Sequence, residues 1–244
     1  MEPFYTQSEE VKHIIKGLNL TKSLFVSSIV IGEPHIGKKH LVTYLFPDAP
    51  VVSAEDQEMV EKLLQEHDEL IITNFEKLKN HNALNFDNKR IVATANYVSN
   101  QEVIDSLFAF IYHLPSLKER QEDTSFIAKK FFHQACKDLM IDPESIPFTS
   151  LPLNLSRNTK SLKRTIYHYL IQHNMNKEDI QQTLFHYFDK HLDGNNGYKE
   201  YLAIYEVPLI EAGLKKFHSQ LQLSQVLGIN RNTLRKKIHE HHID

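Results

Sequence analysis

The chain has 244 residues, of which 41% are hydrophobic and 24% charged, a composition that is ordinary for one large or two to three small globular domains. The formal net charge is −3, yet the segment from Val207 onward carries six Lys or Arg against three Asp or Glu, so attraction to nucleic acid is expected at that end. The single cysteine, Cys136, excludes an internal disulfide, and no apolar run is as long as a membrane span. We therefore expect a cytoplasmic protein without a membrane partner.

The first part of the chain alternates between helix and strand patterns. Ser8–Leu18 predicts a helix that is capped by Ser8, and the Val- and Ile-rich stretch Ser23–Ile31 predicts a buried strand. Strands that alternate with helices indicate an α/β fold, with a mainly parallel sheet covered by helices on both faces. The further predicted strands are 50–52, 70–73 and 90–94, and the further predicted helices are 40–45 and 56–66.

The pattern changes after Pro115, where no further strand is predicted. Helices are predicted at 119–140, 157–173 and 176–191, and the Asp-Gly-Asn-Asn-Gly run at 193–197 predicts a loop. The predicted domains are an α/β subdomain over 1–118, a helical lid over 119–195 and a small all-helical domain over 200–244.

A glycine-containing motif follows the first predicted strand. Gly32, Gly37 and Lys38 fit the P-loop pattern of a glycine, four residues, a second glycine and a lysine. Between a strand and a helix, such a loop directs backbone N–H groups at phosphates, and Lys38 would contact their oxygens. The alternative is an ordinary strand-to-helix turn. Lys39 stands where the pattern has Ser or Thr, so no hydroxyl is available there for magnesium.

The C-terminal segment fits the turn and the second helix of a helix-turn-helix. Gly228 suits a tight turn between helices, and Asn230 is placed to cap the helix that follows. Leu234 and Ile238 are four residues apart and face a core, which leaves basic and polar side chains free to contact phosphates and base edges of DNA. The alternative is an ordinary basic helix end, since Lys and Arg favour the C-terminal pole of a helix.

The segment from Val207 to His241 resembles the C-terminal helix-turn-helix of the Fis family, and the run GINRNTLRKK carries the resemblance. Apolar residues at a helical spacing predict the first helix, and 222–227 predicts the short middle helix. The apolar residues are Ile210, Leu214, Phe217 and Leu221. The resemblance implies binding to double-stranded DNA. The expected DNA contacts are Asn230, Arg231, Asn232, Thr233, Arg235, Lys236 and, more weakly, Lys237.

The preceding part of the chain resembles the AAA+ domain of the NtrC-like, sigma-54-dependent enhancer-binding proteins. The segments that carry this resemblance, in the family's own order, are GEPHIGKKHLV, RIVATAN, HLPSLKERQED and NTKSLKRTI. It implies a P-loop AAA+ three-layer α/β domain with a helical lid, and it places Asn96 at the sensor I position and Lys160 at the sensor II position. The candidates for contact with ATP or ADP are therefore Gly32, Gly37, Lys38, Lys39, Asn96 and Lys160.

Departures from the family's pattern argue against ATP hydrolysis. Thr73 and Asn74 replace the Asp-Glu pair that holds magnesium and orients the attacking water. Ser106 occupies the position of the arginine finger, whose loss typically lowers the rate by about 10³ or more. The family's loop that engages sigma-54 has no counterpart in the sequence. We therefore predict a degenerate body with no catalytic residue.

The sequence thus predicts a sequence-specific DNA-binding transcriptional regulator whose body serves dimerisation or the sensing of a nucleotide or another signal. A homodimer is expected because one helix-turn-helix holds little specificity, and RNA polymerase or another regulator is a further expected partner. The alternatives are an active ATPase that works with sigma-54 RNA polymerase and a nucleotide sensor without hydrolysis. No metal site is predicted, because the EF-hand-like spacing at 189–200 has His191 where an oxygen ligand is required.

Overall fold

A parallel sheet of five strands forms the centre of the N-terminal part of the chain. The computed structural model describes residues 3–81 and 84–243. The strands are β1 (Ser28–Ile31), β2 (Val51–Ser53), β3 (Glu69–Thr73), β4 (Arg90–Ala95) and β5 (Phe110–His113). Their order in the sheet is β2-β3-β4-β1-β5, and all neighbouring strands run parallel. The predicted α/β fold with a parallel sheet is therefore confirmed.

Helices cover both faces of this sheet. The helices that do so are α1 (Glu9–Leu24), α2 (Lys38–Leu45), α3 (Gln57–Glu66) and α4 (Gln101–Leu107). Leu18 of α1 and Leu41 of α2 are buried in the core of one face, and Val60 of α3 and Ile104 of α4 in the core of the other. The loops at the carboxyl ends of the strands are thereby held on a rigid three-layer support.

The first elements differ in part from the sequence prediction. The cap at Ser8 is confirmed, since its Oγ accepts a hydrogen bond from the N–H of Val11. The strand predicted from Ser23 begins only at Ser28, because α1 continues to Leu24 and Phe25 ends it with a φ of 51°. The sequence does not predict α4 or β5. The residues of β5 are exposed or half-buried at the sheet edge and show no alternating pattern.

Two further helices form a separate core behind the sheet. They are α5 (Gln121–Asp138) and α6 (Asn158–Asn174), which match the predicted helices at 119–140 and 157–173. Phe132 of α5 packs with Leu162 and Ile166 of α6. Cys136 is fully buried in this core, and burial raises the pKa of its thiol, as expected for a side chain that fills a helix interior.

The chain forms two compact units that are divided after Asn174. The helices of the second unit are α7 (Lys177–His191), α8 (Gly197–Phe217), α9 (Gln220–Leu227) and α10 (Arg231–Glu240). The division falls inside the predicted lid at 119–195, so the domain boundaries stay a prediction. Across the described ranges, no helix has both the length and the apolar character needed to cross a membrane.

Candidate nucleic-acid interface and phosphate-binding loop

The turn between α9 and α10 has the geometry predicted for it. Gly228 ends α9 with a φ of 65°, in the left-handed region that glycine occupies without steric cost. The N–H of Ile229 donates to the carbonyl of Ser224 at 3.1 Å, which satisfies an acceptor at the end of α9. Asn230 caps α10, because its Oδ1 accepts a hydrogen bond from the N–H of Asn232 at 2.8 Å. Local backbone chemistry therefore sets the entry into α10.

A small apolar core fixes the three helices α8, α9 and α10 against one another. Ile210, Leu223 and Leu234 contribute one buried side chain from each helix, with an exposed fraction of 2% or less. Gly213 of α8 is also buried, and a Cβ atom there would overlap the side chain of Leu223. Glycine at this position lets α8 and α9 approach closely, and sequence reasoning missed it because one glycine inside a helix carries no pattern.

The exposed surface of α10 is basic and polar. Arg231 and Arg235 lie one helical turn apart, and within the described ranges neither side chain has a hydrogen-bond or ion-pair partner. Lys236 lies 3.6 Å from Glu240 in an exposed pair, a contact that typically contributes little. The predicted DNA contacts that are exposed here are Asn230, Arg231, Asn232, Thr233, Arg235 and Lys236.

Lys237 is engaged within the protein. Its Nζ contacts Oε1 of Glu206 in α8, and Nε2 of His241 lies 3.0 Å from Oε2 of the same carboxylate. The hydrogen bonds from Lys237 and His241 lower the pKa of Glu206. The cation at position 237 therefore ties α10 to α8, whereas the sequence alone placed it among the DNA contacts.

The predicted P-loop lies at the carboxyl end of β1 and has the backbone geometry of a phosphate-binding turn. Gly37 has a φ of 101° and directly precedes α2, whose first residue is Lys38. A Cβ atom at Gly32 would lie 2.5 Å from the carbonyl oxygen of Leu114, so the loop needs glycine there to pass the end of β5. The N-terminus of α2 is thereby placed at the edge of the sheet where phosphates bind in this kind of loop.

The ammonium group of Lys38 points into the protein. Its Nζ donates to the carbonyls of Gly32 at 2.6 Å and Glu33 at 2.7 Å, and to Oδ1 of Asn96 at 3.0 Å. Because an ammonium has three N–H donors, these acceptors satisfy all of them. Burial lowers the pKa of Lys38 to about 8, against the opposing effect of the carboxylates of Glu76 and Glu33.

Glu76 supports this arrangement, and sequence reasoning missed it. It lies in a short 3-10 helix after β3 and is 8% exposed. Its Oε1 accepts from Nδ2 of Asn96 at 2.6 Å, and its Oε2 from the N–H of Asn96 at 3.0 Å. This double contact orients the amide so that Oδ1 faces Lys38. The available signal was an acidic residue directly after the apolar Phe75, close to the end of a predicted buried strand.

The positions that carry carboxylates in the resembling family hold none here. Thr73 ends β3, and its Oγ1 donates to the carbonyl of Val52 at 3.1 Å. Asn74 follows in the left-handed region with a φ of 57°. Glu69 lies at the opposite end of β3, where it pairs with Arg90. Neither Thr73 nor Asn74 therefore supplies a carboxylate ligand for a magnesium ion, and over the described part of the chain no group of three or more His, Cys, Asp or Glu could hold a metal.

Three of the positions singled out in the sequence take no part in the hydrogen bonds that join Lys38, Asn96 and Glu76. Lys39 is exposed on α2. Lys160 lines a groove that is formed by residues 152–172. Ser106 donates through Oγ to the carbonyl of Val103 within α4, at 2.9 Å. Of the six nucleotide candidates, the structure brings together Gly32, Gly37, Lys38 and Asn96.

Side chains at the starts of α5 and α6 contact the P-loop. The buried guanidinium of Arg120 donates to the carbonyl of Ile36. Nδ2 of Asn158 donates to the carboxylate of Glu33 at 2.8 Å, and Oδ1 of Asn158 accepts a hydrogen bond from the N–H of Leu117 at 2.9 Å. The loop is therefore fixed from both sides before any ligand arrives.

Comparison with known proteins identifies the C-terminal module. Residues 201–241 match the bacterial regulatory proteins of the Fis family. This range contains α9, the Gly228 turn and α10, so the Fis-type helix-turn-helix predicted from the sequence is confirmed. A search of curated proteins by sequence found no significant match.

The whole chain is similar in fold to NtrX from Brucella abortus. The crystal structure of NtrX in complex with ATP aligns with a TM-score of 0.56 at 12% identity, over 100% of this chain and 70% of the NtrX chain. The complex of NtrX with ADP gives a TM-score of 0.54 at 13% identity, over 98% of this chain and 70% of the other. At such identity the likeness establishes the fold, an AAA+ α/β body followed by the Fis-type module.

Proposed function

We propose that this chain is a sequence-specific DNA-binding transcriptional regulator that acts through its Fis-type module. The observation that carries the proposal is the pair of exposed guanidinium groups, Arg231 and Arg235, on the helix that follows the Gly228 turn; neither has a partner among the described residues. A helix in this position of a helix-turn-helix enters the major groove, where guanidinium groups bind guanine edges and phosphates.

The test is to select bound sequences from a random pool of DNA duplexes with the full chain, and then to measure the affinity of Arg235→Ala for the selected site. Loss of such a contact weakens binding by about 1–3 kcal/mol, roughly 5- to 150-fold. Lys129→Ala removes the same charge from an exposed position of α5, outside the unit that holds α7 and α10, and is the matched control. Equal affinity of wild type and Arg235→Ala would refute the assignment of α10 as the recognition helix.

We further propose that the AAA+ body does not hydrolyse ATP. The hydroxyl of Thr73 is bonded to the main chain of β2, and the neighbouring Asn74 has no carboxylate to orient water. Ser106 offers no positive charge to a transition state. Phosphate release from ATP is measured with the full chain, alone and with its DNA site. Turnover above background that Lys38→Ala abolishes would overturn this part of the proposal.

A homodimer completes the proposal. No residue of α7 is buried, and aromatic side chains of α7 and α8 are exposed, among them Phe185 at 63% and Tyr198 at 83%. A second copy would cover this surface and present two recognition helices to a pseudo-palindromic site. Sedimentation of the full chain is expected to show a dimer that Phe185→Glu dissociates. A wild-type monomer at tens of micromolar, both free and on DNA, would contradict it.

Nucleotide sensing without hydrolysis is a second candidate function, and the glycine geometry at Gly32 and Gly37 favours it. Phosphate could bind the α2 N-terminus if Lys38 exchanged one of its protein acceptors for a phosphate oxygen. Calorimetry with ATP and with ADP decides the question, with Lys38→Ala as the control. Absence of both heat and thermal shift with the two nucleotides would exclude sensing at this loop.

A further inference from the structure

A groove on α6 has the features of an anion-binding site, and the proposed function makes no use of it. The groove lies between α6 and the preceding loop, and its cavity volume is about 470 Å³. Ligand sites in proteins commonly have volumes of about 300–1,000 Å³. None of the P-loop glycines, nor Lys38, is among the residues that line it. It is therefore a separate cavity large enough for a small molecule.

Basic side chains run along this groove. Lys160, Arg164 and His168 of α6 are four residues apart, so they lie on one face of the helix over about 12 Å, and Arg157 lines the groove from the turn that precedes α6. All four are exposed, and in the described ranges none of the side chains has a hydrogen-bond or ion-pair partner. Like charges on adjacent helical turns repel, so this face is stabilised by a bound anion.

The acidic side chain of Asp138 faces the side of α6 that carries Lys163 and Tyr167, not the side that lines the groove. Asp138 of α5 accepts a hydrogen bond from the hydroxyl of Tyr167, and the Nζ of Lys163 lies over the ring of Tyr167. In the described part of the chain, no Asp or Glu lines the groove itself. The positive charge of the groove is therefore not balanced from within the protein.

Neutral groups complete the lining. Thr165 and Gln172 add polar side chains beside the basic ones. Tyr169 forms part of the floor and is 6% exposed, and its hydroxyl donates to the carbonyl of Pro147 at 2.9 Å, which fixes the ring. Charge, neutral polar groups and a rigid aromatic surface in one cavity suit a phosphorylated molecule that also carries a polar or cyclic part.

We propose that the α6 groove binds a small polyphosphorylated ligand of nucleotide size, at a site distinct from the P-loop. Its phosphates contact Arg157, Lys160 and Arg164, and its uncharged part lies beside the polar side chains of Thr165 and Gln172. The concave shape and limited volume of the cavity favour a small molecule over the backbone of a DNA duplex, which would require an open basic surface.

The probe is inorganic tripolyphosphate, titrated calorimetrically into the full chain. Arg164→Gln is expected to weaken its binding about tenfold or more, because a hydrogen-bonded charge is lost. Lys163→Gln makes the same change of charge on the other side of α6 and is expected to leave the affinity unchanged. Lys38→Ala is titrated alongside to show whether any of the binding occurs at the P-loop. Since Arg164 is exposed, Arg164→Gln is expected to melt within a few degrees of the wild type.

Three outcomes would overturn the proposal. If tripolyphosphate does not bind the wild type, the proposal is refuted. Binding that Lys38→Ala abolishes and Arg164→Gln leaves intact would place the phosphates at the P-loop. Weaker binding of Arg164→Gln to the selected DNA duplex, with no response to tripolyphosphate, would make the groove a DNA-contacting surface. None of these results depends on Arg235, so the proposed role of α10 is tested separately.

Discussion

The P-loop and the turn before α10 are built from similar parts, but their positive charges are used differently. In each, a glycine in the left-handed region, Gly37 or Gly228, lies at or just before the start of a helix with a basic first residue. Lys38 has protein acceptors for all its N–H donors. Arg231 has no such partner in the described part of the chain. Two similar local sequences therefore place their cations differently: Lys38 is fully hydrogen-bonded within the protein, whereas Arg231 is available to a ligand.

Burial explains the difference. Lys38 lies at the carboxyl edge of a covered sheet, where an unpaired charge is strongly unfavourable, so the fold surrounds it with carbonyls and the amide of Asn96. The α10 helix contributes only Leu234 as a fully buried side chain, and Arg231, Arg235 and Lys236 remain in water. A motif alone therefore does not show whether a cation is free to bind a ligand; the acceptors around it decide that.

The largest effect is expected from Leu234→Ala, which tests whether the DNA-binding surface depends on its small core. Loss of this buried side chain is expected to lower the free energy of unfolding of the second unit by about 2–5 kcal/mol. Hydrogen exchange should rise in α8, α9 and α10 and stay unchanged in the sheet. Val226→Ala, at a side chain that is 59% exposed, is the control. An equal rise in hydrogen exchange over the whole chain would show that the effect of Leu234→Ala is not confined to the second unit.

Glu76→Ala tests whether the buried carboxylate of Glu76 stabilises the P-loop. The N–H and Nδ2 of Asn96 would lose their acceptors, and the free energy of unfolding of the first unit is expected to fall by about 2–3 kcal/mol. Glu76→Gln keeps one acceptor and is expected to have a smaller effect in urea denaturation. Equal stability of Glu76→Ala and wild type would show that the network does not support the loop.

The pH dependence of stability tests the burial of Lys38. Its pKa is about 8 in the folded chain and about 10.4 in an unfolded chain, so between these values the unfolded chain binds more protons and stability rises with pH. Below pH 8 both states are protonated, and the buried charge lowers stability in full. From pH 7.5 to 9.5 the wild type is expected to gain about 2 kcal/mol relative to Lys38→Met. Parallel pH profiles would indicate a solvated ammonium.

The smallest effect is expected from Asn230→Ala, which separates capping from DNA contact. Loss of the bond to the N–H of Asn232 is expected to lower the free energy of unfolding by about 1 kcal/mol. Asn232→Ala leaves the cap intact and is expected to change stability by less than about 0.5 kcal/mol while weakening DNA binding. The reverse order of stabilities would show that Asn230 does not cap α10.

Local chemistry made several features predictable from the sequence. The caps at Ser8 and Asn230 and the glycine turn at Gly228 each depend on a few consecutive residues, and the structure confirms them. The strand predicted from Ser23 began too early, because Ser23 and Leu24 belong to the last turn of α1 and the β-branched run starts only after the left-handed Phe25.

The sequence by itself determined the parallel α/β fold, the P-loop turn and the Fis-type module, since periodicity, capping and glycine placement act over short distances. Only the tertiary structure decided which charges are available. Glu76 reaches Asn96 from the short 3-10 helix after β3, 20 residues away, and Glu206 contacts Lys237 from 31 residues away. Such contacts arise from the packing of distant segments, and residue spacing along the chain does not encode them.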